Sequence, residues 1–210
     1  RGLVRSDVAA ILFDEPLTVI DPQLKWHLRR KLKEIHEHLK LTFIYVTHDQ
    51  VEALTFADQV AIMYEGEIVQ IGSPQELFEN PEHSFVGYFI GSPGMNLLEC
   101  TLDGNMVRID GAGIALSEET AAKGHKARGK LQLGIRPMHM EVHGEPGEGR
   151  IEARVKLVED LGSYKIVTLN LADKIVKARV LEDQSIGKEQ AWLAFPKQWT
   201  RLFSDGWLIK

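Results

Sequence analysis

The sequence has little of what marks a secreted, membrane-spanning or nucleic-acid-binding protein. Its 210 residues include a single cysteine, Cys100, which excludes an internal disulfide framework and is expected to be a free, buried thiol in a reducing cytoplasm. No apolar run approaches the ~20 residues of a membrane-spanning helix. The formal net charge is −5, and the basic footprint that nucleic-acid binding leaves is missing, so we expect no nucleic-acid partner.

The sequence also lacks the glycine-rich loop with which many nucleotide-binding proteins hold phosphates. No Gly-x-x-x-x-Gly-Lys-Ser/Thr pattern occurs in it. The glycine-rich stretch at residues 144–149 contains two glutamates and a proline and is interpreted as a flexible turn. The usual cradle for phosphates is therefore missing from these residues.

What the sequence does contain is a pair of short apolar runs that end abruptly in polar residues. Residues 8–13 have no polar position, which predicts a strand covered on both faces in a parallel sheet. Asp14 and Glu15 follow that run directly. The second run, residues 44–46, is followed after one threonine by His48. We interpret both runs as buried strands.

A long charged stretch lies between the two runs and is interpreted as an amphipathic helix. It begins at Asp21, a residue type that caps helices, with Pro22 in the first turn, and it extends to about Lys40. Strand, helix and strand make a βαβ unit, whose right-handed crossover places both strand ends on one edge of the sheet. Open α/β sheets bind ligands at that edge, so the polar residues after both strands are expected to converge there.

The expected convergence of Asp14, Glu15 and His48 suits phosphoryl-transfer chemistry. Asp14 can hold Mg²⁺, which prefers oxygen ligands and dehydrates reluctantly. Glu15 can orient and deprotonate an attacking water, and His48 can hydrogen-bond the transferring phosphoryl group. The alternative is that the two carboxylates only end a strand and the histidine only begins a helix. The fitting positions of Pro16 and Asp21 favour the site.

Three segments resemble motifs of ABC transporter ATPases. The Walker B strand of that family is similar to residues 11–16, its D-loop to residues 17–21, and its switch-histidine loop to residues 45–54. The D-loop segment departs from the usual Ser-x-Leu-Asp at Thr18 and Ile20. The histidine-loop segment, Tyr-Val-Thr-His-Asp-Gln-Val-Glu-Ala-Leu, is typical of importers of sugars and related polyols.

The resemblance implies the C-terminal portion of a RecA-like P-loop ATPase domain, a parallel sheet with helices, that uses ATP and Mg²⁺. Glu15 and His48 are implied to be catalytic, as the general base and as the contact to the γ-phosphate. Asp14, His48 and Asp21 are implied to bind the cofactor, with Asp14 as the metal ligand. In this family the D-loop aspartate lies between two ATPase subunits; capping of the helix is the structural alternative for Asp21.

The signature that precedes Walker B in this family, Leu-Ser-Gly-Gly-Gln, is missing as well. Residues 1–5 resemble the helix end that follows it, and the chain begins without a methionine. We therefore interpret the chain as the C-terminal part of a longer ATPase that carries half of a catalytic apparatus. These 210 residues alone are expected to show no ATP hydrolysis and only weak affinity for Mg-nucleotide.

A hairpin and two short helices are predicted between the histidine loop and residue 90. The β-rich residues 60–64 and 67–71 flank a Glu-Gly turn, which is typical of a hairpin. Ser73 and Glu76 match a capping box, with proline at the first helical position. Residues 83–90 are predicted to form the next helix.

Turn-forming residues cluster at 91–94, where we place the boundary between two domains, residues 1–92 and 93–210. Beyond it, short β-rich runs with glycine-rich connections predict a small barrel or sandwich. These runs are residues 131–135, 151–157, 165–169, 175–180 and 191–195. Residues 91–96 and 133–137 resemble the start and centre of the OB-like TOBE regulatory domain of sugar-importer ATPases. The predicted fold class is α/β followed by all-β, with an OB-like β-barrel.

The resemblance also implies partners and a place in the cell. The intact ATPase would work as a dimer, with a second copy or a paralogue, beneath two membrane-spanning permease subunits. It would lie in the cytoplasm at the inner face of a bacterial cell membrane, with a surface for a regulatory ligand or protein on its C-terminal domain. Within the family, residues 15–22 with Lys25 and Trp26 are most similar to ATPases of glycerol importers.

Two other classes of protein stay open at this point. One is a non-catalytic regulatory or ligand-sensing module, because the chain lacks the phosphate loop. The other is a cytosolic ABC ATPase without a transport role, against which the appended β domain and the match at residues 45–54 argue.

Overall fold

The computed structural model describes residues 8–210, which form two compact units. The first unit holds the described residues up to 61 together with residues 71–76, and the second holds residues 62–70 and 77–210. The domain boundary between residues 92 and 93 stays a prediction. None of the helices in the described part of the chain has the length and apolarity that crossing a bilayer requires.

The first unit contains a βαβ arrangement. Its elements are β1 (Ala10–Asp14), α1 (Pro22–Leu39), β2 (Thr42–Val46) and α2 (Gln50–Phe56). The two strands pair in parallel, from Ala10 opposite Thr42 to Asp14 opposite Val46. The predicted order of strand, helix and strand is confirmed, and both strands end at the same edge of the sheet.

The prediction that β1 is covered on both faces is wrong for the described residues. Helices pack on one face of the sheet: the ring centroids of His36 in α1 and Phe43 in β2 are 5.1 Å apart. On the opposite face, Leu12 is 66% exposed and Ile44 is 51% exposed. The strands alternate between inward and outward positions because, in the described residues, helices cover only one face.

Local interactions close both ends of α1. Asp21 accepts a hydrogen bond from the Gln23 N–H at 2.9 Å, so its predicted capping role is confirmed. At the other end, Lys40 takes the left-handed conformation, with a φ of 51°, and its N–H donates to the His36 carbonyl at 2.8 Å. The helix therefore starts directly after the D-loop segment.

The predicted hairpin and short helices are also present. They are β3 (Val60–Tyr64) and β4 (Glu67–Gly72), which pair with each other, then α3 (Pro74–Glu79) and α4 (Ser84–Phe89). The Ser73 N–H donates to Glu76 Oε2 at 2.8 Å, and the Glu76 N–H donates to Ser73 Oγ at 3.3 Å. This reciprocal pair confirms the capping box.

The second unit consists mostly of antiparallel strands. They are β5 (Asn96–Asp103), β6 (Met106–Ile109), β7 (Ala112–Ala115), β8 (Leu131–Ile135), β9 (Glu141–His143), β10 (Arg150–Asp160), β11 (Tyr164–Leu171), β12 (Lys174–Leu181), β13 (Gln190–Ala194), β14 (Arg201–Ser204) and β15 (Trp207–Leu208). One sheet has the order β12-β11-β10-β13-β9, and the other has the order β15-β14-β8-β5-β6-β7. The five predicted strands are confirmed.

Several elements of the second unit go beyond the prediction. Strands β6 and β7 have four residues each, and a helix, α5 (Glu118–Gly124), has seven. Segments this short carry too few residues to establish a period of 2.0 or 3.6. The pairing of β6 with β5 and of β7 with β6, and the burial of Ala121 in α5, decide their structure.

An apolar core fills the second unit. Side chains from both sheets contribute to it, and Leu133, Val167, Leu169 and Leu193 are completely buried. Cys100 packs against this core as a free, partly buried thiol, and burial raises its pKa to about 11. The mostly β architecture agrees with the all-β part of the predicted fold class.

The second unit also holds a buried cation, Arg136, by main-chain carbonyls. Its side chain donates to the carbonyls of Phe78, Gly87 and Ile90 at 2.7, 3.4 and 2.6 Å, and its guanidinium lies 3.9 Å from the centre of the Phe78 ring. The residue is 3% exposed, and burial lowers its pKa to about 10. Carbonyls at a helix C-terminus favour a cation, so Arg136 ties the end of α4 to the end of β8.

Candidate active site

Glu15 follows the last residue of β1 in a backbone conformation that few residues adopt. Its φ is 43°, in the left-handed region, where a residue with a side chain is strained unless its surroundings hold it. Its N–H donates to the Val46 carbonyl at 2.9 Å. This bond joins the ends of the two parallel strands and brings Glu15 next to the loop that follows β2.

Glu15 and His48 are in direct contact. Nδ1 of His48 lies 2.9 Å from Oε1 of Glu15, although 33 positions separate the two in the chain. Because a carboxylate only accepts hydrogen bonds, Nδ1 carries a hydrogen and donates the hydrogen bond to Glu15. The Thr18 hydroxyl donates to the other oxygen, Oε2, at 3.1 Å. Each carboxylate oxygen keeps a lone pair for a further donor.

This contact stabilises the charged form of both groups. The hydrogen bond from His48 holds the pKa of Glu15 below its ordinary value, and the bond from Thr18 adds to that. The hydrogen bond from His48 to Glu15, and then the charge of Glu15, raise the pKa of His48. The side chains are 44% and 67% exposed, respectively, so solvent and a ligand can reach both.

An ionised carboxylate beside a readily protonated imidazole suits the hydrolysis of a phosphate anhydride. Glu15 has the lone pairs to take a proton from a water molecule. His48 uses Nδ1 for Glu15, and its Nε2 has no hydrogen-bond partner among the described residues. When the imidazole is protonated, Nε2 is a donor with no competing acceptor in residues 8–210, as a contact to an anionic ligand requires.

Thr18 contributes to the site although the sequence marks it as a departure from the family's D-loop pattern. Threonine keeps the hydroxyl of the serine that is more usual there, and that hydroxyl bonds Glu15. The departure therefore retains a hydrogen-bond donor beside the carboxylate.

The other two candidate residues lie outside this contact. Asp14 is the last residue of β1, and its exposed side chain forms no hydrogen bond or ion pair with another described residue. Asp21 caps α1 through Gln23. Their roles at a nucleotide and at a subunit interface stay predictions.

The donor set around Asp14 limits the kind of metal site that is compatible with this chain. Within the described residues, no three histidine, cysteine or carboxylate side chains gather to hold a metal ion. Asp14 offers carboxylate oxygens, the ligand type that Mg²⁺ prefers. Because Mg²⁺ commonly takes one or two carboxylates together with substrate phosphates and water, Asp14 fits an ion that arrives with a nucleotide.

A buried carboxylate behind the histidine loop escapes the prediction from sequence. Glu52 in α2 is 2% exposed. Three donors reach its oxygens: Lys25 Nζ at 3.1 Å, Tyr45 Oη at 3.0 Å and Thr47 Oγ1 at 3.1 Å. Burial, followed by the bond to Glu52, raises the pKa of Tyr45, so the phenol stays a donor. A lone glutamate among apolar neighbours at residues 51–54 is the signal for it in the sequence.

Two known protein families match the chain between residues 91 and 203, and their matches overlap at residues 133–140. A family described as the MalK OB fold domain matches residues 91–140. A family described as the TOBE domain matches residues 133–203. The predicted OB-like and TOBE resemblance is confirmed.

Relatives of named function are similar over most of the chain. The sn-glycerol-3-phosphate import ATP-binding protein UgpC of Chromobacterium violaceum is 42% identical over 183 residues, which are 86% of this chain and 48% of that protein. The protein of the same name from Salmonella typhi is 38% identical over 208 residues, 98% of this chain and 57% of that protein. The chain is a homologue of importer ATP-binding proteins. The resemblance carried by residues 11–16 and 45–54 is thereby confirmed.

The homology covers only part of those proteins. The chain spans about half the length of the curated relatives it matches, including a UgpC of Bordetella pertussis that is 42% identical over 80% of this chain and 45% of that protein. Among solved structures, the cytoplasmic molybdate-binding protein ModG aligns with 52% of this chain and 95% of its own, at 13% identity and a TM-score of 0.42. That structural likeness is too weak to carry a functional argument.

Proposed function

We propose that this chain supplies the Walker B, D-loop and switch-histidine part of an ATP-hydrolysing subunit of an ABC importer. The observation that carries the proposal is the 2.9 Å contact between Glu15 and His48 at the shared edge of two parallel strands. Homology to ATP-binding proteins supports it independently.

Each residue of the site has a role in this proposal. Glu15 positions the attacking water and takes its proton, and His48 donates from Nε2 to the γ-phosphate. Asp14 would hold Mg²⁺ when a nucleotide is bound, and Asp21 would lie at the interface with a second subunit. ATP and Mg²⁺ supply the anhydride bond and the countercharge; this chain's own residues orient the water and move its proton.

The remaining parts of the nucleotide site have to come from other residues. No phosphate loop and no Leu-Ser-Gly-Gly-Gln signature occur in the 210 residues. In a two-subunit ATPase, other segments would contribute a phosphate loop and a signature. These would complete the nucleotide site to which Glu15 and His48 belong. These residues alone would therefore bind ATP weakly and hydrolyse none.

The solute we propose is a sugar or a polyol, with sn-glycerol-3-phosphate as the first candidate. The sequence indicates a glycerol-type importer, and the relatives are named for the import of its phosphate ester. The partners would be a second copy or a paralogue, and two permease subunits at the inner face of a bacterial membrane. The OB and TOBE region would then offer the surface for a regulatory ligand or protein.

A chimera tests the proposed ATPase activity. Residues 8–210 replace the matching part of one of the 42%-identical relatives, and hydrolysis is measured beside the intact relative and beside the chain alone. We expect Mg²⁺-dependent hydrolysis by the chimera and none by the chain alone. A folded chimera that binds ATP but never hydrolyses it would contradict the proposal and favour a regulatory or ligand-sensing module.

Self-association of the chain is the second part of the proposal. Leu157, Ile175 and Leu181 lie on strands of the five-stranded sheet and are 52%, 57% and 69% exposed. Ile175 and Leu181 are exposed on the same face of β12, where they can contact a second copy. Light scattering over a concentration series should show a dimer that Leu181→Lys weakens. A strictly monomeric mass at high concentration would leave the region as a spacer or a sensor.

A further inference from the structure

The buried carboxylate of Glu52 connects three segments of the first unit that the proposed site depends on. Lys25 belongs to the first turns of α1, four positions after Asp21. Tyr45 is part of β2, and Thr47 directly precedes His48. One carboxylate therefore contacts a helix, a strand and a loop that are separate in sequence.

The buried charge of Glu52 requires the donors and the cation that surround it. A buried carboxylate is destabilising unless a cation and hydrogen-bond donors compensate it. Lys25 provides the cation at 3.1 Å and also lies 3.7 Å from Asp49. Tyr45 and Thr47 satisfy Oε2. With three donors in place, the carboxylate has one arrangement that satisfies it, and its partners are held in that arrangement.

Thr47 connects Glu52 to the main chain on either side of His48. Its hydroxyl donates to Glu52 at 3.1 Å and accepts from the Asp49 N–H at 3.0 Å. Asp49 in turn caps α2, accepting from the N–H groups of Val51 at 2.9 Å and Glu52 at 3.3 Å. His48 is thus bracketed by two residues whose positions depend on the same helix.

We propose that Glu52, with Lys25 and Thr47, is a positioning group that holds His48 against Glu15 and fixes the histidine loop relative to the helix that Asp21 begins. Glu52 acts through Thr47 and touches neither Glu15 nor a reacting atom. The role rests on the proposed function, because a held histidine has an effect on activity only where the histidine contacts a ligand.

The pKa of His48 in this chain is the readout, since the contact with Glu15 is the largest cause of its increase. NMR titration of the His48 imidazole measures that contact without nucleotide. The His48 signal is the one that disappears in the His48→Gln variant. Glu15→Gln sets the full size of the shift that the contact produces. Asp49 and Glu52 also raise the pKa of His48 by their charge, so the informative variant has to leave both charges in place.

Thr47→Val is that variant, and Thr55→Val is its matched control. Thr55 lies in α2 and its hydroxyl donates to the Val51 carbonyl at 2.6 Å, away from His48. We expect Thr47→Val to remove at least half of the shift that Glu15→Gln removes, Thr47→Ser to restore it, and Thr55→Val to leave it unchanged. In a Glu15→Gln background, Thr47→Val should no longer move the pKa of His48.

An unchanged pKa of His48 in a folded Thr47→Val chain would overturn the proposal, because the positions around His48 would then not depend on the Glu52 network. If Thr47→Val does not fold, Thr47→Ala gives the same readout with less volume. Unfolding of both would also overturn it, since the network would then serve the fold and not the position of one side chain. Neither result bears on ATP hydrolysis, which the chimera tests separately.

Discussion

The two compact units use opposite means to hold their strands. In the first unit, two parallel strands leave Leu12 and Ile44 more than half exposed, and a partly buried ion pair joins α1 to α2. In the second unit, two antiparallel sheets enclose a core in which Leu133 and Leu169 are completely buried. The first arrangement depends in part on a charge pair, and the second depends on apolar burial.

The partly buried Lys25 of the first unit and the buried Arg136 of the second show the same difference. Lys25 is compensated by the carboxylate of Glu52, which is itself buried, whereas Arg136 is compensated by neutral carbonyls and the Phe78 ring. In the first unit two opposite charges compensate each other, so removing one leaves the other uncompensated. The second unit places a single charge against neutral main-chain carbonyls, so its loss leaves no uncompensated charge behind. The ion pair with a buried carboxylate therefore lies in the unit of the candidate site, and apolar packing dominates the core of the second unit.

The largest expected effect is on the free energy of unfolding, and it compares a buried leucine of the second unit with an exposed leucine of the first. Leu169→Ala should lower the free energy of unfolding of the second unit by about 2–5 kcal/mol, because it leaves a cavity among buried side chains. Leu12→Ala, the same change at an exposed position, should alter the first unit by no more than about 0.5 kcal/mol. Urea unfolding followed by NMR signals of each unit measures both; similar losses would break the comparison.

The next effect tests the ion pair of Lys25 with the buried Glu52. Lys25→Met leaves the carboxylate of Glu52 without its cation and should destabilise the first unit by about 1–3 kcal/mol, the cost of a buried acceptor that loses a partner. Lys31→Met is the control on the same helix, since Lys31 pairs with Glu34 at the surface and should cost at most ~0.5 kcal/mol. Equal unfolding midpoints in urea for the two variants would contradict the importance given to Glu52.

Helix caps should show no difference between the units. Asp21→Ala removes the carboxylate that accepts from the Gln23 N–H at 2.9 Å in α1, and Ser117→Ala removes the hydroxyl that accepts from the Thr120 N–H at 3.1 Å in α5. Each change should cost about 1 kcal/mol by thermal unfolding. Ser163→Ala, at an exposed turn, is the control. A cap worth several times more in one unit would show that local bonds contribute unequally as well.

The smallest effect compares two histidines whose pKa values shift in opposite directions. Burial, with the charges of Arg136 and Arg201, lowers the pKa of His139 in the second unit, whereas Glu15 raises that of His48 in the first. Glu15→Gln should return the pKa of His48 toward its ordinary 6.5 and leave His139 unchanged. NMR titration of both imidazoles checks this; a shift of His139 would mean the variant acts through the fold.

The same pair has a defined pH window for stability. Because the folded pKa of His48 is raised, its contribution is complete below 6.5 and is lost as pH rises through the folded pKa. Because the pKa of Glu15 is lowered from 4.5, its contribution is present above 4.5 and is lost as pH falls through the folded pKa. The wild-type and Glu15→Gln chains should therefore differ most between about pH 4.5 and 6.5.

Part of this structure can be predicted from sequence because it follows from local chemistry. Asp21 and Ser73 predict the starts of their helices. Two apolar runs on either side of a helix predict parallel strands that end at one edge, where Glu15 contacts His48. The partners of Glu52 cannot be predicted in this way. Lys25 lies 27 positions away on a helix with several basic residues, and only packing selects it.

ATP hydrolysis by the chimera, with Glu15→Gln compared against Glu37→Gln, tests the central claim most directly. The amide of the first variant cannot take the proton of the attacking water, so turnover should fall by roughly 10²–10⁴-fold while ATP binding is retained. Glu37 is exposed on α1, and its variant should hydrolyse ATP at the normal rate. Near-normal turnover by Glu15→Gln would contradict the account and reduce Glu15 to the residue that ends a strand.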